Sequence, residues 1–203
     1  MTSTQTMAIE LAAWQAKEPV AGKRNLVLDE TNAGLAQLEG FRNRSVYQSI
    51  ENPLLLVDWV EWDSLEKAHT AVQGMMKIER LHPFVQQIEK TVLFEHYTHE
   101  TSHGKPGQAG AAIELVVYQL KPEADPSAFQ QAYNQVIGTA KGYQGRYILK
   151  NDKGENRWAE WAYWSNVEDA KAASAQMMQD PSIQQAFGLV QEVLMVHQYF
   201  RPF

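Results

Sequence analysis

Ala8-Ile9-Glu10-Leu11-Ala12-Ala13-Trp14-Gln15 returns as Ala112-Ile113-Glu114-Leu115-Val116-Val117-Tyr118-Gln119, with the first four residues and the closing glutamine unchanged. From Gly40 onward a fixed shift of 102 residues carries Arg44 onto Arg146, Trp59 onto Trp161, Trp62 onto Trp164, Met75-Met76 onto Met177-Met178 and Tyr97 onto Tyr199. Self-similarity at this period marks a duplicated domain. The 203 residues divide accordingly into a first repeat over 7–98, a polar, glycine-bearing linker over 99–110 and a second repeat over 111–203.

Each repeat reads strand, helix, strand, strand, helix, strand. Ile113, Leu115 and Val117 alternate with Glu114, Val116 and Tyr118, the period of a strand with two unlike faces. Asp125-Pro126 supplies a cap and a first-turn proline ahead of Phe129, Ala132, Tyr133, Val136, Ile137 and Ala140, one apolar helical stripe. The matching segment from Lys23 to Leu38 carries Thr31 and Gly34 on that stripe, so it is expected to be shorter, kinked or partly open. Asp63 with Glu66, and Ser165 with Glu168, fit capping boxes of a second helix in each repeat. On the first of these helices Leu65, Ala68, His69, Val72 and Met76 share a face. Strands Thr91–Thr98 and Glu192–Phe200 close the two repeats.

The turns predict a register for the middle strands. A left-handed Gly154 sets Asn151 opposite Glu155 and, counting outward, Ile148 opposite Trp158 and Arg146 opposite Glu160. The turn Ser49-Ile50-Glu51-Asn52, with Asn52 in the left-handed position, sets Arg44 opposite Asp58. Facing opposite charges contribute roughly 0.2–1 kcal/mol and fix register. The other reading is an ion pair held inside a ligand cavity, joined by Glu10 and Glu114.

The run Trp62-Asp63-Ser64-Leu65-Glu66-Lys67-Ala68-His69, followed by His82-Pro83-Phe84, is similar to the Trp/Tyr, Ala-His and His-x-Phe pattern of antibiotic-biosynthesis-monooxygenase domains. The chain thereby resembles the dimeric α+β barrel superfamily. That resemblance implies an α+β fold of two ferredoxin-like β-α-β-β-α-β repeats whose antiparallel sheets pack into a barrel, within one chain or in a homodimer, with a cavity between sheet and helices. It also implies a cofactor-independent monooxygenase-like reaction on a small aromatic or quinol-type substrate. The alternative is a non-catalytic ligand-binding or assembly module of the same fold.

The second repeat has Lys171 and Gln184 where the first has His69 and His82, so these two histidines are the catalytic candidates. Trp62, Tyr97 and Trp14 are the candidate substrate contacts, while Arg44, Asp58, Arg146 and Glu160 form the structural ion pairs. Haem-degrading relatives use an asparagine in the first strand and a tryptophan in the second helix. Here Glu10 stands in the first strand and the second helix has no tryptophan, which leaves His82 as the haem-ligand candidate.

Other classes are excluded on composition. A net charge of -6 with scattered basic residues argues against nucleic acid. No apolar run is long enough for a membrane span. Met1–Thr6 lacks the basic and apolar regions of a signal peptide and reads as a frayed terminus. The absence of cysteine removes disulfides and thiolate chemistry and fits a reducing cytoplasm. His96, His99 and His103, with Glu95 or Glu100, have metal-like spacing on a strand end and linker that do not preform a site, so no metal is expected. No phosphate-binding loop, dinucleotide fingerprint or serine elbow occurs. The expected partner is a small apolar or aromatic molecule, with no cofactor.

Overall fold

The structure is a computed structural model describing residues 7–107 and 112–203. Two compact units divide it, one running to His99 and taking in Pro202 and Phe203, the other from Glu100 to Arg201. The expected frayed terminus and residues 108–110 of the expected linker lie outside the described residues. The rest of that linker corrects the sequence reading, because strand β4 continues as far as Gly104. No helix among the described residues is long and apolar enough to cross a membrane.

The first unit contains β1 (Ala8–Ala16), α1 (Thr31–Leu35), β2 (Phe41–Ser49), β3 (Leu55–Trp62), α2 (Leu65–Met75), α3 (His82–Val85) and β4 (Ile88–Gly104) as far as His99. β1 lies between β3 and β4, with β2 on the far side of β3, all antiparallel. The second unit repeats this with β5 (Ala112–Leu120), α4 (Pro126–Ile137), β6 (Tyr143–Asn151), β7 (Arg157–Trp164), α5 (Val167–Met177), α6 (Pro181–Phe187) and β8 (Val190–Pro202). There β5 lies between β7 and β8, and β6 pairs with β7.

Trp62 and Trp164 end matching strands and are fully buried, each with an aromatic ring set edge-on against it, Phe41 and Tyr143. Ala68 and Ala71 bring α2 onto Trp62, whereas His69 is exposed and off the buried face of that helix. The caps sit one residue later than the sequence suggested: Ser64 accepts from the Lys67 amide and Asn166 from the Asp169 amide. Both side chains hang from an extended backbone that aims them into the first turn.

The hairpin register also differs from expectation. Arg44 faces Val60 and Arg146 faces Ala162, while Asp58 faces Val46 and Glu160 faces Ile148. Lys150 faces Trp158, which opens the Asn151 turn wider than a four-residue connection. Side-chain bonds explain the width. Asn151 Oδ1 accepts from the Lys153 amide, and Asn156, at φ 51°, donates to the Lys121 and Ala124 carbonyls. Asn156 holds the left-handed position together with Gly154; Asn52 does not. A shift of two residues keeps every side chain on its face, so both ion pairs form, on the diagonal.

The segment corresponding to α4 in the first unit is broken, as Thr31 and Gly34 suggested. A 3-10 turn (Ala21–Lys23) leads into a wide π turn (Leu26–Glu30) before α1. Thr31 donates its hydroxyl to the Leu26 carbonyl at 2.7 Å. Gly34 permits a close approach, since a Cβ there would lie 2.4 Å from Leu81 Cδ2. Gly34→Ala is expected to lower stability by about 1–3 kcal/mol through this overpacking, measured by denaturant unfolding. An unchanged midpoint would show that Leu81 yields freely.

Candidate functional site

In the first unit Glu10, Ala12 and Trp14 of β1, Asp58 and Val60 of β3 and Arg44 of β2 line one cavity of about 200 Å³. The α1 side adds Thr31 and Leu35, and Met75, Met76, Leu81, Phe84 and Phe94 supply apolar wall. Exposed Met76 and Phe94 rim its mouth. The cavity therefore lies between sheet and helices, where the resemblance placed it.

Its floor is a buried ion pair. Arg44 Nε donates to Asp58 Oδ2 at 2.9 Å, and Nη2 lies 2.8 Å from the same oxygen without the alignment of a hydrogen bond. Trp14 Nε1 donates to Asp58 Oδ1 at 3.1 Å. Arg44 Nη1 reaches the Val27 carbonyl in the π turn at 2.6 Å and Asn32 Oδ1 at 3.3 Å. Phe84 covers the guanidinium, its ring centroid 5.0 Å from Cζ. Burial pushes the Asp58 carboxyl above its usual range, outweighing Arg44 and Trp14, which pull it down.

The second unit builds the same floor from different parts. Arg146 Nη1 donates to Glu160 Oε2, Nη2 reaches Asn134 Oδ1 at 2.8 Å, and Tyr118 donates its hydroxyl to Glu160 Oε1 at 2.9 Å. Tyr133 takes the place of Phe84 over the guanidinium, 4.5 Å from Cζ. Burial raises the Glu160 carboxyl against the pull of Arg146, and it pushes the Tyr118 and Tyr133 phenols far up, so both stay protonated. A cavity of about 180 Å³ remains, lined by Val116, Phe129, Phe187 and Val190 beside these groups.

Of the substrate contacts expected from sequence, Trp14 lines the first cavity; Trp62 and Tyr97 do not. Trp62 is sealed in the core, and Tyr97, also fully buried, donates its hydroxyl to Glu95 at 2.6 Å. His69 and His82 are exposed and absent from the cavity wall, a departure from their expected placement. His82 Nε2 lies 2.9 Å from the Met76 carbonyl. The ion pairs also border the cavities: Arg44 and Asp58 line the first, and Glu160 lines the second.

Glu10, weighed at the sequence level only as a companion to the ion pairs, also lines the first cavity, and its partner was missed. Its Oε2 lies 3.0 Å from Nε2 of His96, directly across the ladder, with both residues buried. The ring of His69 lies 4.7 Å from that of His96. The equivalence of Tyr97 with Tyr199 fails at the same place. Tyr97 faces Ile9, whereas Tyr199 faces Glu114, because the β5–β8 ladder carries an additional shift in register. The strand-face alternation of Glu10 with Ala12 and Trp14 could have pointed to this site, given the register of β4.

His96, His99 and His103 are not gathered as a metal set. His96 pairs with Glu10, and His103 Nδ1 lies 3.0 Å from the Tyr143 hydroxyl. His82, the haem-ligand candidate, lies outside both cavity walls, engaged with the Met76 carbonyl.

No protein-family model matches the sequence, and no curated protein matches it significantly. Solved structures do match in fold. An anthrone oxidase-like protein aligns over 98% of this chain and 92% of its own, with a TM-score of 0.72 and 15% identity. A provisionally named monooxygenase of Lactobacillus acidophilus aligns over 97% and 93%, with a TM-score of 0.62 and 12% identity. A chlorite dismutase of Candidatus Nitrospira defluvii, as a variant, aligns over 98% and 93%, with a TM-score of 0.66 and 12% identity. At 15% identity or less the likeness is one of fold: the chain folds as these proteins do, and proteins named as monooxygenases are among those that share the fold.

Removing Arg44 as Arg44→Leu leaves Asp58 buried without its cation and is expected to destabilise by about 3–5 kcal/mol. A second outcome follows from protonation. The folded protein holds the Asp58 proton more tightly than the unfolded chain, so this contribution to stability is full below the ordinary aspartate range and is lost as pH rises through the elevated value. In Asp58→Asn that downward slope is expected to shrink to the part that Glu160, raised in the same way, contributes to unfolding free energies across the weakly acidic range. A slope equal to that of the parent protein would rule out the assignment.

Proposed function

We propose that the first-unit cavity is the active site of a monooxygenase-like enzyme acting on a small aromatic or quinol-type molecule without a cofactor. The observation that carries this reading is the pairing of apolar walls with a polar floor of Glu10, Arg44, Asp58 and Trp14 in one enclosed space. Likeness in fold to an anthrone oxidase-like protein and to provisionally named monooxygenases supports the reaction class.

Size narrows the substrate. An apolar cavity of about 150 Å³ is known to hold benzene, so about 200 Å³ admits one substituted ring with little to spare. Larger flat substrates require Met76 and Phe94 at the mouth to move. The polar floor binds the oxygen-bearing edge, and the aromatic and methionine walls exclude water from the reacting carbon.

In such a reaction the substrate supplies the electrons and dioxygen is the oxidant. Loss of a proton from an acidic C–H or O–H group leaves an electron-rich anion. One-electron transfer to dioxygen and recombination form a carbon–oxygen bond. For a methylene substrate, one oxygen atom ends as the carbonyl and the other leaves as water.

Thr31→Tyr copies Tyr133 of the second unit and sets a phenol into the wall of the first cavity beside Arg44, narrowing it. Methylhydroquinone is expected to raise the melting temperature of the parent protein and to drive dioxygen uptake above the uncatalysed rate, with both effects at least tenfold weaker in the variant. A bound ligand without dioxygen uptake would favour the non-catalytic binding module. No shift with any single-ring hydroxyaromatic would end the cavity assignment.

A further inference from the structure

The two units treat the same first-strand glutamate differently. In the second, Glu114 Oε2 accepts from the Trp164 indole at 2.9 Å, which satisfies both groups inside the core. In the first, the matching indole nitrogen of Trp62 is buried with no hydrogen-bond partner among the described residues. Glu10 has turned instead to His96 Nε2 at 3.0 Å, and it lines the cavity. Leaving an indole N–H unsatisfied in a core is unfavourable, because its bond to water is lost and not replaced. A structural role alone would have kept Glu10 on Trp62, as Glu114 is kept on Trp164.

We infer that Glu10 is the proton acceptor of the first cavity and that His96 is the residue that positions it. The inference rests on the reading of this cavity as catalytic and adds the group that performs its first step. An ionised carboxylate only accepts hydrogen bonds, so His96 donates from Nε2 and occupies one oxygen of Glu10. The other oxygen is free to take a proton from substrate. His69, its ring packed on that of His96, steadies the imidazole from the α2 side. In the second unit the residue facing Glu114 across the ladder is Tyr199, with Lys171 over its ring, so the histidine pair belongs to the first unit alone.

The step balances with dioxygen as oxidant. A substrate C–H bond breaks, its proton passes to Glu10 and its electron pair stays on carbon. The carbanion passes one electron to dioxygen, and the radical pair joins as a peroxide anion, which recovers the proton from Glu10. Glu10 then takes the second hydrogen from the same carbon as a proton. The electron pair of that bond forms the carbonyl, the O–O bond breaks, and the departing hydroxide leaves as water with the proton of Glu10. The carboxylate ends as it began.

The test separates proton abstraction from oxygenation by following deuterium incorporation from heavy water into 2-indanone under nitrogen, beside dioxygen uptake in air. The parent protein is expected to catalyse exchange, Glu10→Gln to lose at least 100-fold in the turnover number with KM changed less than threefold, and Glu10→Asp to retain part of the rate. His96→Ala is expected to lower the turnover number and shift its pH profile, and His96→Gln, which can still donate to Glu10, to restore part of both. Glu114→Gln, the same change in the second unit, is expected to lower stability without altering exchange. Absence of exchange in the parent protein, or exchange in folded Glu10→Gln within threefold of it, would overturn the inference. Exchange that depends on Glu10 without any dioxygen uptake would uphold the proton acceptor and remove the oxygenase reading.

Discussion

A guanidinium withdrawn from water, Arg44 in one unit and Arg146 in the other, is the constraint around which each unit is arranged. Such a charge is tolerated inside a protein only when its donors are met and its counter-ion is close. Arg44 meets Asp58, the Val27 carbonyl and Asn32, so a single side chain ties β2 to β3 and to the broken helix above the sheet. Arg146 ties β6 to β7 and, through Asn134, to α4. In both units an aromatic donor from the first strand completes the carboxylate, Trp14 in one and Tyr118 in the other. Removing any member leaves a buried polar group without its partner.

Around that shared floor the units have moved apart by exchanging where their bulk comes from. The second unit fills the space from α4, with Phe129 and Tyr133 stacked 6.1 Å apart and Tyr133 over the arginine. The first has Val27 and Thr31 at the matching positions and covers its arginine from α3 with Phe84. Smaller side chains on the helix could not sustain a regular helix at the same distance from the sheet, and the π turn is where the backbone adjusts. Gly34 lets Leu81 come close enough to finish the wall. Both units keep a cavity of similar size beside the carboxylate, about 200 Å³ in the first and 180 Å³ in the second, and the exchange of bulk changes what lines it.

The element order and both ion pairs were legible in the sequence because alternation, caps and turn residues are local signals. Register was not, since the hairpin widths depend on Asn156 reaching the Lys121 and Ala124 carbonyls, a contact distant in sequence. The error was of two residues and therefore preserved the faces, so Arg44 still met Asp58. His96 was hidden for a sharper reason. A strand end read by spacing alone grouped it with His99 and His103, while the ladder sets it against Glu10. Matching Tyr97 to Tyr199 failed likewise, because one extra residue in a strand reverses the face of everything beyond it.

The choice between Trp62 and His96 as partner for Glu10 sets what that carboxylate can do. An indole donates one hydrogen bond and never changes charge, so the acid it holds is a structural acceptor, as Glu114 is on Trp164. An imidazole can be neutral or cationic and can move between the two as the charge beside it changes. Paired with His96 at 3.0 Å, Glu10 keeps one carboxylate oxygen turned away from that bond, in the wall of the cavity. The same glutamate at the same strand position is held by an indole in one unit and by an imidazole in the other. The difference lies in its neighbours, and in the first unit it leaves the carboxylate in a cavity wall that Arg44, Asp58 and Thr31 also line.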